Sequence, residues 1–155
     1  MCKCSLTQTT AIGYLRKRFL CRYTMTECEI YLSIAERFLA GSAAVNNRVH
    51  ELSGFACYHA FESVGGAFVT GRGRRYPRGH KAKLNAFVTQ CRAERFNRAV
   101  AALAIKVNGL RNLCLYPTQN GPTWSHPMSA FTASDATQLH RRVSSVVGII
   151  RSRFP

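Results

Sequence analysis

The sequence predicts an all-α protein, four to five helices folded up and down into one bundle. Three observations carry that reading. Apolar residues recur three and four positions apart between Thr26 and Ile150, the period of a helix with one buried face. No segment shows the every-second-residue alternation of a half-buried strand or a hairpin. Two stretches rich in Gly or Pro, 71–79 and 116–133, cut the pattern into pieces of helical length. At 155 residues, 46% hydrophobic and 19% charged, the chain has the balance of a single globular domain and can bury one substantial core.

Residues 1–24 hold five Lys or Arg and no acid. They read as a basic extension, disordered or partly helical through AIGYLRKRFL, ahead of a domain spanning 25–155. Thr26 and Glu29 form a capping-box pattern that opens the first helix. Ile30, Ile34, Phe38 and Leu39 then share a face, with Tyr31 and Ala35 beside it. Gly41 is expected to stop this helix so that Ser42 caps the next. In the second helix Val45, Val49, Leu52, Ala56, His59 and Ser63 trace a stripe flanked by Phe55, Tyr58 and Phe61, reaching about Val69. Gly65 and Gly66 either weaken its end or let another helix approach closely. Leu84, Phe87 and Val88 mark a short third helix. A longer fourth runs from about Ala93 through Phe96, Val100, Leu103, Val107 and Leu110 to Leu115. Pro117, Pro122 and Pro127 exclude continuous helix there. The last helix starts near Ser134 and carries Leu139, Val143, Val146, Val147 and Ile150 on its apolar side.

Twenty-two Lys and Arg against seven Asp and Glu leave a net charge of +15. A field of that sign attracts polyanions and speeds their encounter, so RNA or nucleotide is the first partner to consider and an acidic protein an alternative. No apolar run approaches the length of a membrane span. The seven cysteines form no CxxC pair and no Cys/His ladder, and Cys2 and Cys4 make only a lone CxC. Several others fall on apolar helical faces, where a free thiol acts as a small hydrophobe. The expectation is a reduced, cytoplasmic chain with no metal site and no cofactor. Without a Gly-Lys-Ser/Thr loop, a carboxylate pair for nucleotide transfer or a zinc signature, the sequence does not read as an independent NTPase, transferase or metallohydrolase.

Four stretches, in order, give the chain a family likeness: EIYLSIAERFLAG, NNRVHELSGFACYHAFESVGGAF with its CYHAFES core, GHKAKLNAF, and LRNLCLYP, followed by a final apolar helix. In this order and spacing the chain resembles the HEPN domain, over roughly residues 26–153. The resemblance implies a small helical bundle, usually a homodimer. It also implies a role among metal-independent endoribonucleases and toxins of toxin–antitoxin or defence systems, non-catalytic RNA- or nucleotide-binding modules, or partners of minimal nucleotidyltransferases.

In the nuclease branch the resemblance implies an Arg followed four to six residues later by His at the end of the long helix. Arg supplies a permanent cation over the scissile phosphate, and His a group that exchanges protons near neutrality. Here that segment reads Arg111-Asn112-Leu113-Cys114-Leu115-Tyr116, with Tyr116 where the His would fall and His126 too distant to replace it. A second candidate lies in the loop RGRRYPRGHK. Arg75 and His80 have the required spacing, giving a catalytic set of His80 with Arg75 or Arg111, against the alternative that His80 only caps or packs at a helix start. For phosphate or nucleotide binding the candidates are Arg72, Arg74, Arg75, Arg78, Lys81, Arg111, Asn112 and Tyr116. Glycines are interleaved among the loop cations, and Tyr76 is available to stack on a base. The loop cations and Arg111 are expected to share one phosphate-sized hollow. His59 and Glu62 read as a buried contact. His50, Glu51 and His140 with Arg141 and Arg142 read as solvated positions, and Trp124 as a pin for its loop.

Overall fold

The computed structural model describes residues 25–46 and 48–154; the basic extension proposed for 1–24 lies outside them. Five long or medium helices dominate: α1 (Glu27–Val45), α2 (His50–Thr70), α3 (His80–Gln90), α4 (Asn97–Leu115) and, after a small hairpin and the single turn α5 (Pro127–Ala130), α6 (Ala133–Arg151). The architecture is the all-α bundle expected from the sequence. Its organising element is α2, about 32 Å long, which packs against α1, α3, α4 and α6. A helix with neighbours on every side has no polar face. From Ser53 to Val69 only Phe55 and His59 are less than fully buried. Its largest buried rings, Tyr58, Phe61 and Phe68, meet Phe87 of α3, Leu32 of α1 and Leu139, Val143 and Ile150 of α6 in one continuous core. Each such side chain contributes about 1.5–3 kcal/mol by leaving water.

Two capping boxes start the outer helices. Thr26 and Glu29 close α1 reciprocally, and Thr132 and Asp135 do the same for α6. Gly65 and Gly66 are the close-approach alternative of the two offered by the sequence. A Cβ at Gly65 would lie 2.8 Å from the Phe87 ring, and one at Gly66 2.8 Å from Tyr31, so α3 and α1 sit almost on the α2 backbone.

Several local expectations are overturned. Gly41 does not stop α1, because its backbone stays right-handed among good helix formers and α1 continues to Val45. Ser42 is therefore no cap. Its buried hydroxyl bonds Ser53 at 2.7 Å and Cys57 at 3.1 Å across the α1–α2 contact. The buried face of α1 is Cys28, Leu32, Ala35 and Ser42, and Ile30 remains 46% exposed. Small residues at the contact bring α1 close to α2 and rotate the bulkier isoleucines outward. On α2 the stripe is likewise displaced, with Val49 and Leu52 exposed. Helix α4 begins at Asn97 rather than near Ala93, after turns through 91–96. A strand pair absent from the sequence reading, β1 (Thr118–Asn120) with β2 (Thr123–Ser125), forms an antiparallel hairpin closed by Gly121 at φ +59°. Trp124 on that hairpin is 65% exposed and pins nothing.

Candidate functional site

An acid on an otherwise apolar helix sets the site. Glu62, only 6% exposed in mid-α2, collects three side-chain donors. Tyr58, one turn earlier, donates its hydroxyl to Oε2 at 2.7 Å. Nδ1 of His80, the first residue of α3, stands 2.5 Å from the same oxygen. Lys83, one turn further along α3, donates from Nζ to Oε1 at 2.7 Å. Tyr76 completes the centre by donating its hydroxyl to the Glu62 main-chain carbonyl at 2.6 Å. The loop 71–79 is thus sewn to α2 at its middle, and α3 is held by two residues of its first turn.

The electrostatics follow from this geometry. Burial pushes the Glu62 carboxyl up, but the hydrogen bonds from Lys83, His80 and Tyr58 and the Lys83 charge outweigh it, and the group stays below the ordinary carboxylate range. Burial, the bond to Glu62 and the Glu62 charge raise the Tyr58 hydroxyl well above its usual value, against an opposing field from Arg111. Burial lowers His59; Glu62 opposes that shift, while the charges of His80, Arg111 and Lys83 add to it. Arg111 on α4 and His80 on α3 therefore act on the same two α2 neighbours. Nε of Arg111 is buried without a hydrogen-bond partner, and its Nη1 donates to Asn112 Oδ1 at 3.1 Å.

The loop cations divide into two groups. Arg74 and Arg75 line a hollow of about 780 Å³ with Thr26–Glu29, Gly71, Gly73, Arg153 and Phe154. Arg75 continues into a second hollow of about 500 Å³, lined also by Glu27, Tyr31, Tyr76, Pro77, Arg78 and Lys83. Because Arg75 and Glu27 border both, the two form one open trough leading to the Glu62 centre. Arg74, Arg75, Arg78 and Lys81 are exposed. Arg72 is not part of the trough. It pairs with Glu94 at 2.7 Å and lies 4.9 Å over the Phe68 ring. Arg111 lines neither hollow. It belongs beside Tyr58, whereas α2 ends at Thr70, twelve residues and about 18 Å of helical rise away. The loop arginines and Arg111 therefore do not share one hollow, and of the loop-side candidates His80 is the one that meets Arg111's neighbours. Tyr116 caps the end of α4 and is 55% exposed.

Other expectations are corrected here. Tyr76 is 7% exposed and edge-on to Tyr31, so it cannot stack on a base; its hydroxyl is needed inside, at the Glu62 carbonyl. His80 caps nothing; it reaches back to Glu62. Glu62 does not pair with His59, which sits instead among the Phe38, Phe55 and Tyr58 rings. His140 is half-buried, with Nδ1 3.2 Å from the Ser42 hydroxyl, and His50 lies 2.7 Å from the Asn46 carbonyl, so neither is simply solvated. Sequence reasoning missed Lys83 altogether. The available signal was Glu62 itself, an acid on an apolar helix that burial obliges to find cations. Cys28, Cys57, Cys91 and Cys114 are buried free thiols, and burial pushes Cys91 up to about 12. Among the described residues no helix is long and apolar enough to cross a membrane, and no three His, Cys, Asp or Glu side chains gather as a metal site.

Fold and site together define a small α-helical bundle with a buried ionic centre on its central helix, opening onto a cationic trough. No protein-family model and no curated protein sequence matches the chain. Among solved structures, the crystal structure of an archaeal HEPN homologue superposes with a TM-score of 0.60 at 16% identity, covering 84% of this chain and 100% of that one. The chain has a HEPN-like fold. At that identity the likeness speaks for the fold alone, and activity must be argued from the site.

Proposed function

We propose that the protein is a HEPN-type bundle that binds RNA or nucleotide along the trough lined by Arg74, Arg75 and Arg78, with Lys81 close by in the first turn of α3. One observation carries the reading. These exposed cations lie in one open channel, while the two acids along it are partly committed elsewhere: Glu29 to its capping box, and Glu62 to Lys83 and His80. A phosphate backbone entering the channel meets guanidinium groups that hold no carboxylate among the described residues, and Tyr31 offers a partly exposed ring to a base. The charge of +15 draws such a ligand in.

The protein works as a homodimer in this reading, in the setting of a toxin–antitoxin or defence module or beside a nucleotidyltransferase. Two apolar stripes support the dimer: Ile30, Ile34 and Phe38 on α1, and Leu52, Phe55 and His59 on α2. They meet where Phe38 stacks on His59 at 5.0 Å and leave Ile30 and Leu52 46% and 47% exposed. A salt titration of single-stranded RNA binding, read by fluorescence anisotropy, tests the function. Affinity is expected to fall log-linearly with salt, by a slope of about 0.7 per phosphate neutralised. Absence of binding at low salt, or a flat salt dependence, refutes it in favour of a subunit that meets an acidic protein.

A further inference from the structure

We infer that Glu62 and His80 form a carboxylate–imidazole pair that cleaves RNA held in the trough, His80 moving the proton and Glu62 acting as its positioning residue. This rests on the binding reading above and adds to it a reaction and the residues that perform it. The segment Arg111–Tyr116 has no histidine, so an imidazole has to come from another element, and the first turn of α3 brings one. Nδ1 of His80 lies 2.5 Å from Glu62 Oε2. An ionised carboxylate only accepts hydrogen bonds, so Nδ1 carries the hydrogen and the neutral ring keeps its lone pair on Nε2. The His80 side chain is 45% exposed although Nδ1 is tied to an acid that is 7% exposed, so the outer edge of the ring, with Nε2, faces solvent. The Tyr58 ring, with its centroid 6.0 Å from that of His80, backs the imidazole from within.

The charged and titratable groups facing the imidazole are Glu62, Tyr58 and His59 on α2, Lys83 on α3 and Arg111 on α4; Arg78 and Tyr76 belong to the loop that precedes it. Lys83 is held by Glu62, which leaves Arg78, two residues before His80, as the cation nearest in sequence for the phosphate. The step is a transesterification. The ribose 2′-hydroxyl gives its proton to Nε2 of His80, the 2′-oxygen bonds to phosphorus, and the bond from phosphorus to the 5′-oxygen breaks. The departing 5′-oxygen takes a proton from water, and His80 returns its own to the hydroxide left behind. The products are a 2′,3′-cyclic phosphate and a 5′-hydroxyl, and no co-reactant is consumed.

The experiment uses a 5′-labelled mixed-sequence RNA and the full chain in EDTA, with binding measured on the same samples. The wild-type chain is expected to leave cyclic-phosphate ends. His80→Ala should bind as before and cut about 10²–10⁴-fold more slowly, with added imidazole restoring part of the rate. Glu62→Gln should slow cleavage and move its pH profile, which a merely structural role for Glu62 would leave in place. RNA that is bound but never cut by the wild-type chain overturns this inference and spares the binding reading; RNA neither bound nor cut overturns both. Cleavage undiminished in His80→Ala also overturns it. Should Glu62→Gln fail to fold, imidazole rescue of His80→Ala decides the matter alone.

Discussion

Two acids in this molecule each gather cations from distant parts of the chain, and they end in different roles. Glu94, in the turn between α3 and α4, accepts from Arg72 at 2.7 Å and from Arg153 at 2.6 Å. Both guanidinium groups also lie over rings, Arg72 over Phe68 and Arg153 over Phe96. The result is a clasp joining the end of α2, the α3–α4 turn and the end of the chain. Its cations are committed on every side, which removes Arg72 from the binding surface that the sequence assigned to it. Glu62 is buried more deeply, and one of its donors is an imidazole, which has a second nitrogen to spare. The same motif closes the structure in one place and leaves a reactive edge at the surface in the other.

The largest expected contrast is in stability. Glu62→Ala should cost about 3 kcal/mol in urea unfolding, the low end for a broken buried pair, because Lys83 and His80 can turn to water. Glu94→Ala should cost less, and its cost should shrink in 1 M salt, as expected of a more exposed pair. Equal losses for the two, or a salt-insensitive loss at Glu94, would erase the distinction. Next, Tyr76→Phe should destabilise by about 1–3 kcal/mol by leaving the buried Glu62 carbonyl without its partner. A neutral result there would mean that the loop is not anchored through this bond.

The arginines sharpen the comparison further. Exchanging Arg75 and Arg78 together for Glu should weaken RNA binding and lower its salt slope by about 0.7 for each phosphate no longer neutralised, with little change in melting. Arg72→Glu should do the reverse, lowering the melting temperature through the Glu94 clasp and sparing the slope. The smallest effect concerns acid. The folded Glu62 carboxyl lies below its ordinary value of 4.5, so its contribution is complete above that value and is lost as pH falls below it. The capping acids Glu29 and Asp135 act in the same direction. Glu62→Gln should therefore flatten part, not all, of the stability loss between pH 4.5 and lower values, measured by urea midpoints at successive pH.

The helices, their order and the first cap were legible in the sequence because each depends on neighbours three or four residues apart. Which face of α1 is buried was not. Ile30 and Ile34 outrank Ala35 and Ser42 in hydrophobicity, yet the small residues are what permit close packing on α2. On α2 periodicity carried no information about orientation, since a helix covered on all sides is apolar on all sides. Of the site, the residue types were visible and most pairings were not. Tyr58 and Glu62 stand one turn apart, but His80 and Lys83 reach Glu62 from eighteen and twenty-one residues away.

By itself the sequence determined the all-α class, the capped start of α1, the strong positive charge and the presence of His80 among arginines. Those properties are local or additive, written in spacing and composition. Only the tertiary structure decided which cations are spent on internal acids and which face the trough, that Tyr76 turns inward, that Arg111 stands apart from the loop, and that Glu62 chooses His80 over its near neighbour His59. The reason is physical. A buried carboxylate takes whatever donors the packing of separate helices delivers to it, and that delivery depends on distances the linear chain does not contain.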